Sequence, residues 1–240
     1  DVDYPVLSGM AEALNHRGPD EEGHLIEGNV GFYHKRLSII DLVSGRQPMS
    51  SNAVSIAFNG EIYNYVELRE TLKLLGHEFH TTSDTEVILR LYLQYGPECV
   101  KHLNGMFAFL LYDRNQQVVM TARDHFGIKP LYYVADSEHI LFASEIKALL
   151  RHPQVKAEPD FESVRDYLTF QYVLGQGTLF KGVRKLLPGH FQLIDLRTKE
   201  MTTDVFWEPN FKVDTHHTEE FFLFELNRLL DETVDIQLRS

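Results

Sequence analysis

The chain has 240 residues, of which 43% are hydrophobic and 24% charged, and its formal net charge at pH 7 is −12. These values are typical of a globular protein with a sizeable core, and the negative charge argues against a nucleic-acid partner, which requires a basic face. An acidic start without an apolar segment, no apolar run of about 18 residues and a single cysteine indicate neither secretion, a membrane span nor a disulfide framework, so we expect a cytoplasmic protein.

The first half of the chain predicts alternating helices and strands. They are a helix at 5–14, two strands within 24–40, a strand at 53–58, a helix at 65–75 and a helix between Asp84 and Gly96. Asp84 is well placed as the N-cap of the last helix. Asn59-Gly60 follows the strand at 53–58 and predicts a tight turn, because both residues tolerate positive φ. A hairpin would require a second strand there, but the sequence continues into a helix.

The second half is richer in strands. Predicted strands lie at 106–112, 117–123, 131–135, 139–144 and near 189–195, with helices at 145–150 and 160–170. The segment "EPNFKVDTHHTEE" indicates a linker. From Glu219 to Ser240, apolar residues recur at helical spacing, so this helix needs a partner surface.

The pattern predicts an α+β fold. There are too few βαβ alternations for a doubly wound sheet. Two antiparallel sheets packed face to face, with helices outside, would bury these strands on both sides.

The residues give little support for a metal site, a phosphate-binding loop or a reactive thiol. The 12 histidines are scattered, and His77 and His80 have poor spacing for one shared ion in a strand. The phosphate-binding pattern GxxxxGK[ST] is absent. A reactive thiol needs a depressed pKa and partial exposure, whereas Cys99 lies among apolar residues and is expected to be a buried hydrophobe.

Asn59-Gly60 allows a functional interpretation. A segment that does not fold back can present its backbone N–H and its asparagine amide as two donors. Such a pair forms an oxyanion hole, which stabilises developing negative charge in acyl transfer. From these residues alone, an ordinary loop glycine beside a structural asparagine remains the alternative.

Several segments, taken together, are more specific. In order, they resemble the glutaminase domain of glutamine-hydrolysing asparagine synthetases, a class II glutamine amidotransferase domain of the Ntn-hydrolase type, and the resemblance covers most of residues 5–195. The segments are "HRGPD" (16–20), "RLSIIDL" (36–42), "NGEIYNY" (59–65), "TTSDTEVIL" (81–89), "GMFAFLLYD" (105–113), "ARDHFGIKPLYY" (122–133), "FASEIKALL" (142–150) and "GVRKLLPGH" (182–190). The resemblance implies a four-layer αββα sandwich of two antiparallel sheets.

The resemblance also implies roles for individual residues. Asn59 and Gly60 match the oxyanion-hole pair, and Arg36 matches the residue that receives the glutamine α-carboxylate, for which a planar guanidinium is suited. Glu61 and Asp84 match the residues that hold the α-ammonium. Residues expected to line the pocket through backbone groups are Leu37, Ser38, Ile39 and Ile40. The alternative interpretation of Arg36 and Glu61 is an ordinary surface ion pair, which contributes little.

The sequence departs from the family at its nucleophile. The family begins with a cysteine whose own α-amine acts as the base, whereas this chain begins Asp1-Val2-Asp3. Retention of the glutamine-pocket residues favours a missing first strand over loss of the nucleophile. The resemblance implies a glutaminase domain at 1–195, a linker at 196–217 and, at 218–240, the first helix of a helical synthetase domain.

The implied function is hydrolysis of glutamine to glutamate and ammonia, for ATP-dependent amidation of aspartate in asparagine biosynthesis. No cofactor or metal is expected in this chain, whereas ATP and magnesium are expected in the synthetase domain. The implied partners are glutamine, that domain and a second copy in a homodimer. The alternatives are a relative that acts on another acceptor, and a cyclising or regulatory relative without glutaminase activity.

Overall fold

The computed structural model describes residues 2–37, 41 and 45–239. The helices in this part of the chain are α1 (Tyr4–Glu12), α2 (Tyr65–Leu74), α3 (Asp84–Tyr95), α4 (Ile146–Leu149), α5 (Phe161–Phe170) and α6 (Glu219–Gln237), with a 3₁₀ helix (Gly96–His102) after α3. The strands are β1 (Glu21–Glu27), β2 (Val30–Arg36), β3 (Met49–Ser51), β4 (Val54–Ile62), β5 (Gly105–Asp113), β6 (Val118–Arg123), β7 (Tyr132–Ala135), β8 (Ile140–Ala143), β9 (Arg184–Lys185), β10 (His190–Asp195) and β11 (Met201–Val205).

One large antiparallel sheet forms the first β layer. Its strand order is β11-β10-β6-β5-β4-β3. The ladder between β4 and β5 is regular from the pair Val54 and Asp113 to the pair Ile62 and Gly105. Because side chains alternate between the faces of a strand, β4 can contribute to the core on one face and to a site on the other.

The second β layer consists of two pieces, the hairpin β1–β2 and the sheet β8-β7-β9. Both pieces pack on the same face of the large sheet through apolar side chains. The contacts of the hairpin join Val30 and Phe32 to Tyr112, Val119 and Ile194, and those of the smaller sheet join Leu131, Phe142 and Leu186 to Ala108 and Leu110.

A cavity of about 490 Å³ separates the two pieces. Residues of β2 and β8 form its sides, Leu110 and Val119 of the large sheet form its floor, and Leu7 and Met10 of α1 form its roof. Over the described ranges, β2 and β8 each have a hydrogen-bonded neighbour on one side only. We call this space, flanked by two unpaired strand edges, the slot.

Helices cover both outer faces. Val87, Ile88 and Leu91 of α3 pack with Ile56 and Phe109 on the other face of the large sheet. Helices α1 and α4 pack together over the second β layer. The helix–sheet–sheet–helix order confirms the predicted αββα sandwich.

The predicted turn at Asn59-Gly60 is wrong. β4 continues through both residues to Ile62, with Asn59 opposite Ala108 and Gly60 opposite Phe107. Gly60 has a φ of +153°, a value that residues with side chains rarely adopt, and a Cβ atom there would lie 2.1 Å from the carbonyl oxygen of Met106. The Asn-Gly pair therefore serves a close approach of two strands rather than a reversal of the chain.

The sequence pattern did not predict the short edge strand β11. β11 lies within the range 196–217, for which a linker was expected, and pairs with β10 at the edge of the large sheet. Its residues are mostly exposed, so the alternation of buried and exposed positions that predicts a strand is missing. Any linker therefore begins after Val205.

Helix α6 has no buried residue in the described structure. The side chain of Thr218 caps it by accepting a hydrogen bond from the backbone N–H of Phe221 at 3.4 Å, and Arg239 beyond its end pairs with Glu67. Its exposed apolar side chains are Phe221, Phe222, Leu223, Phe224, Leu226, Leu229, Leu230 and Val234. The prediction that this helix belongs to a further domain stays a prediction.

The close approach of β4 and β5 generates a stability prediction at Gly105. A Cβ atom at Gly105 would lie 2.2 Å from the carbonyl oxygen of Glu61. We expect Gly105→Ala to reduce the free energy of unfolding by about 3 kcal/mol, because neither backbone can move away without breaking the ladder. Chemical denaturation measures this change. Gly9→Ala in α1 is the control, since a Cβ there meets nothing within 4 Å and should stabilise by about 0.5–1 kcal/mol. Equal stability of Gly105→Ala and the wild type would contradict the close approach.

Candidate active site

The candidate site forms on the free edge of β4. β3 pairs only with residues 54–56, so the rest of this edge has no strand partner in the described chain. The N–H of Phe58 donates to Oε1 of Gln47 at 2.6 Å, and the N–H of Ile62 donates to Oδ2 of Asp84 at 3.0 Å. Because alternate residues direct their N–H groups to the same edge, the N–H of Gly60 points out between these two.

Asn59 supplies a second donor beside that of Gly60. Its side chain lies on the face of β4 that meets the second β layer, together with Ala57 of the same face. Its Nδ2 atom is buried and has no hydrogen-bond partner among the described residues. Two donors on consecutive residues, neither of them used in the ladder between β4 and β5, match the requirement for binding a developing oxyanion.

An acidic pair lies next to these donors. Asp84 is only 4% exposed, and burial raises the pKa of its carboxyl group to about 6, with a further contribution from the charge of Glu61, against the N–H of Ile62 and other backbone groups that lower it. Among the described residues, no cationic side chain forms an ion pair with Glu61 or Asp84. Two neighbouring carboxylates without a counter-ion are suited to an ammonium group.

The predicted N-cap role of Asp84 is wrong. Ser83 is the N-cap of α3, and its hydroxyl accepts from the N–H of Thr85 at 3.2 Å. Asp84 is instead the first helical residue, and its carboxylate reaches across to Ile62. The cap moved by one position because Ser83 adopts the extended conformation that a cap requires.

Arg69 holds the loop before α3, and sequence reasoning missed it. Its guanidinium donates to the carbonyl oxygens of Thr81 and Ser83, the latter at 2.9 Å, and lies over the rings of Tyr65 and Phe79. The sequence shows only that Arg69 belongs to the helix "YVELRETLKL", and this position indicates a surface residue. Arg69 therefore fixes the backbone on which Asp84 is carried.

Arg36 lies at the end of β2 and is 6% exposed. Its guanidinium donates to Oε2 of Glu21 at 2.7 Å and to the carbonyl oxygen of Asp41 at 2.6 Å. The carboxylate of Asp41 accepts from the N–H of Thr82 at 2.9 Å. Since Thr82 is two residues before Asp84, this chain of contacts brings Arg36 and the acidic pair to one region.

The remaining predicted pocket residues are only partly described. Leu37 directly follows β2 and is 56% exposed. Ser38, Ile39 and Ile40 lie outside the described residues.

Cys99 is not a nucleophile in this fold. It is fully buried, and burial raises the pKa of its thiol to about 12, as expected for a small core residue.

The described residues contain no group of three or more His, Cys, Asp or Glu that could hold a metal ion. None of the described helices is both long and apolar enough to cross a membrane.

The raised pKa of Asp84 generates a pH-dependent prediction. Ionising this carboxyl group disfavours folding, since the pKa is about 6 in the folded chain against an ordinary 3.8. The penalty is absent below pH 3.8, grows up to pH 6 and levels off above it at about 3 kcal/mol. Asp84→Asn removes the charge and keeps an oxygen for the N–H of Ile62. We therefore expect a higher Tm at pH 8, and a gain that shrinks as the pH falls from 6 towards 4, by scanning calorimetry.

The control for this measurement is Asp136→Asn. The Asp136 carboxylate accepts from the N–H groups of Glu138 and His139, which lowers its pKa. Loss of this charge should bring no gain in Tm at pH 8. An unchanged or lower Tm of Asp84→Asn at pH 8 would contradict the claim that the ionised carboxylate of Asp84 destabilises the fold.

Comparison with known proteins identifies the family of the chain. The family described as "Glutamine amidotransferase domain" matches residues 1–207. Asparagine synthetase [glutamine-hydrolyzing] 1 of Bacillus subtilis is 41% identical over 238 residues, which are 98% of this chain and 37% of the relative. Asparagine synthetase [glutamine-hydrolyzing] 3 of the same organism is 41% identical over 190 residues, covering 77% of this chain and 31% of the relative. Amidase chyE of Penicillium rubens is 36% identical over 240 residues, covering 98% and 35%.

The chain thus spans about a third of the length of these relatives. Among solved structures, glutamine phosphoribosylpyrophosphate amidotransferase of B. subtilis superposes with a TM-score of 0.57 at 20% identity, over 85% of this chain and 47% of that one. This likeness supports the fold alone. The family match, which extends from the first residue to the end of the large sheet, shows that the chain belongs to the glutamine amidotransferase domain family.

Proposed function

We propose that this domain releases ammonia from glutamine by hydrolysing its side-chain amide. The observation that carries the proposal is the sequence of groups along the free edge of β4. The donors of Asn59 and Gly60 are followed directly by Glu61 and, through Ile62, by Asp84. Glutamine is complementary to this order, since it has a carboxamide at one end and an α-ammonium at the other.

The two ends of the substrate are bound by charge in this proposal. Glu61 and Asp84 bind the α-ammonium and thereby receive the counter-ion that the described residues do not supply. Arg36 binds the α-carboxylate through its planar fork of donors. This requires Arg36 to share its guanidinium with Glu21 or to exchange one carboxylate for the other.

We further propose that the nucleophile is an N-terminal cysteine on a strand that fills the slot. The unpaired edges of β2 and β8 offer backbone groups to such a strand. The floor and roof of the slot offer it an apolar environment. The slot shares Leu7, Met10, Phe32 and Leu110 with the cavity that Asn59 lines, so the end of the strand would meet the donor pair.

The chemistry then follows as two transfers of an acyl group. The cysteine thiolate attacks the amide carbon, and the charge that develops on the oxygen is stabilised by Nδ2 of Asn59 and the N–H of Gly60. The C–N bond breaks as the nitrogen takes a proton from the α-ammonium of the cysteine and leaves as ammonia. Water, deprotonated by the same amine, cleaves the thioester and gives glutamate.

We propose that the ammonia amidates aspartate in a synthetase domain that begins with α6 and uses ATP and magnesium. The support is the exposed apolar face of α6 and the greater length of the relatives that are named asparagine synthetases. The linker of this proposal lies between β11 and α6.

Asn59→Ala tests the oxyanion role. In the full-length protein we expect the kcat for glutamate release to fall by about 10²–10³-fold, because one donor to the transition state is lost, while the KM for glutamine changes little. The control Asn115→Ala removes an asparagine from an exposed turn and should keep the wild-type kcat. A loss of only twofold in the kcat of Asn59→Ala would contradict the role of Asn59 as an oxyanion donor.

Arg36→Ala tests the binding of the α-carboxylate. We expect the KM for glutamine to rise by about 10–100-fold, as for the loss of hydrogen bonds to a charged group, while synthesis from added ammonia is unchanged. Arg36→Lys keeps the charge without the planar fork and should fall between the two. Glutamine kinetics within twofold of the wild type in Arg36→Ala would contradict the role.

A further inference from the structure

His34 and Asn59 line one small cavity of about 120 Å³ under helix α1. His34 lies on β2, and Asn59 lies on β4 beneath it. The other walls are mainly apolar and include Phe32, Leu110 and Phe142. The space is large enough for several water-sized groups.

The contacts of His34 define which ring nitrogen carries the proton. Its Nε2 lies 2.9 Å from the carbonyl oxygen of Phe58. A carbonyl oxygen can only accept, so Nε2 carries the hydrogen and donates it. Burial lowers the pKa of the ring to about 4, and the charge of Arg36 adds to this against the opposing bond to Phe58. His34 is therefore neutral at pH 7, with a lone pair on Nδ1.

Two residues that line the cavity thus carry an acceptor and a donor without a partner among the described residues. Nδ1 of His34 and Nδ2 of Asn59 are both buried, and neither has a hydrogen-bond partner among the described residues. The carbonyl group that orients His34 belongs to Phe58, the residue directly before Asn59, so the two side chains are held by adjacent positions of β4. Buried polar groups without partners cost free energy, and a ligand that pairs with both would remove the cost.

We propose that His34 is a specificity-determining residue that binds the side-chain amide of glutamine and distinguishes it from a carboxylate. Nδ1 of His34 accepts a hydrogen bond from the amide NH₂, while Nδ2 of Asn59 donates to the amide oxygen. The inference rests on the proposed function, and it assigns a contact that the motif residues Arg36, Glu61 and Asp84 do not make.

A primary carboxamide fits this pair better than a carboxylate does. The carboxamide has an acceptor and a donor on one carbon, in line with the donor of Asn59 and the acceptor of His34. A carboxylate has no donor and would direct an oxygen lone pair at Nδ1. A site that leaves a buried polar group unpaired in this way rejects the wrong ligand strongly. His34 therefore favours glutamine over its hydrolysis product glutamate and helps the product to leave.

A backbone N–H of a strand in the slot is the competing partner for Nδ1, because the cavity and the slot share lining residues. We favour the carboxamide because the donor of Asn59 and the acceptor of His34 form a matched pair around one small group. The two occupants differ in what they predict for glutamine and glutamate. Loss of a contact to the strand would change the use of both ligands alike, whereas loss of a contact to the amide changes only glutamine.

His34→Gln separates the two hydrogen bonds of the ring. The glutamine amide can still donate to the carbonyl oxygen of Phe58 from the position of Nε2, but it offers no acceptor at the position of Nδ1. In the full-length protein at pH 7.5, we expect kcat/KM for glutamine to fall about 10–100-fold. The inhibition constant of glutamate should stay the same or fall.

Two matched variants complete the experiment. His34→Asn puts an oxygen acceptor near the position of Nδ1 and should recover part of the discrimination. His77→Gln makes the same chemical change at a histidine that bonds to Gln94 on the surface at 2.8 Å, and it should leave both constants unchanged. Thermal unfolding of each variant verifies that the fold is intact.

The outcomes separate the inference from the proposed function. If the wild-type protein releases no glutamate from glutamine, the proposed function and this inference both fail. If the wild type is active and His34→Gln keeps the wild-type ratio between glutamine use and glutamate inhibition, only the inference on His34 fails. A parallel loss for both ligands would assign Nδ1 to the strand in the slot.

Discussion

The structure depends on the unequal lengths of β3 and β4. β3 covers three residues of its neighbour, so the edge of β4 beyond them presents backbone N–H groups without a strand to accept them. An unpaired N–H inside a protein has to find another acceptor or remain costly. Here Gln47 accepts from Phe58 and Asp84 accepts from Ile62. Gly60 lies between these two, and its N–H faces the same edge of β4.

The surrounding charges are arranged at the expense of stability. Asp84 is buried beside Glu61, and its pKa is raised chiefly because burial disfavours the charged form, with a further contribution from the charge of Glu61. Arg69 and the caps of α3 keep this strained carboxylate in place through backbone contacts. A buried carboxylate without a counter-ion costs free energy. A cationic ligand that binds beside it removes this cost as well as forming new contacts, so it gains more binding free energy than at a site where the carboxylate is already paired.

The divided second β layer connects the site to the rest of the fold. The hairpin β1–β2 places Arg36 and His34 over β4, while the sheet β8-β7-β9 forms the opposite side of the slot. Because the same face of the large sheet supports both pieces, the slot and the donor pair share one apolar floor. A group inserted in the slot and a ligand on the edge of β4 would therefore meet in a dry environment, in which hydrogen bonds to a developing charge are strongest.

The sequence alone predicted the helices and longer strands, and its motifs predicted the αββα class through a family resemblance and grouped Asn59, Gly60, Glu61 and Asp84 as candidate site residues. Periodicity and short motifs are local signals, so they survive without knowledge of the fold. Tertiary structure alone decided that Asn59-Gly60 is the interior of a strand, since the turn signal was overridden by a close approach to β5. It also decided that Ser83 and not Asp84 caps α3, and that Nδ1 of His34 is buried without a partner among the described residues. These features depend on burial and on partners 20 or more residues away along the chain, such as Phe58 for His34 and Ile62 for Asp84, and no local pattern of residues encodes them.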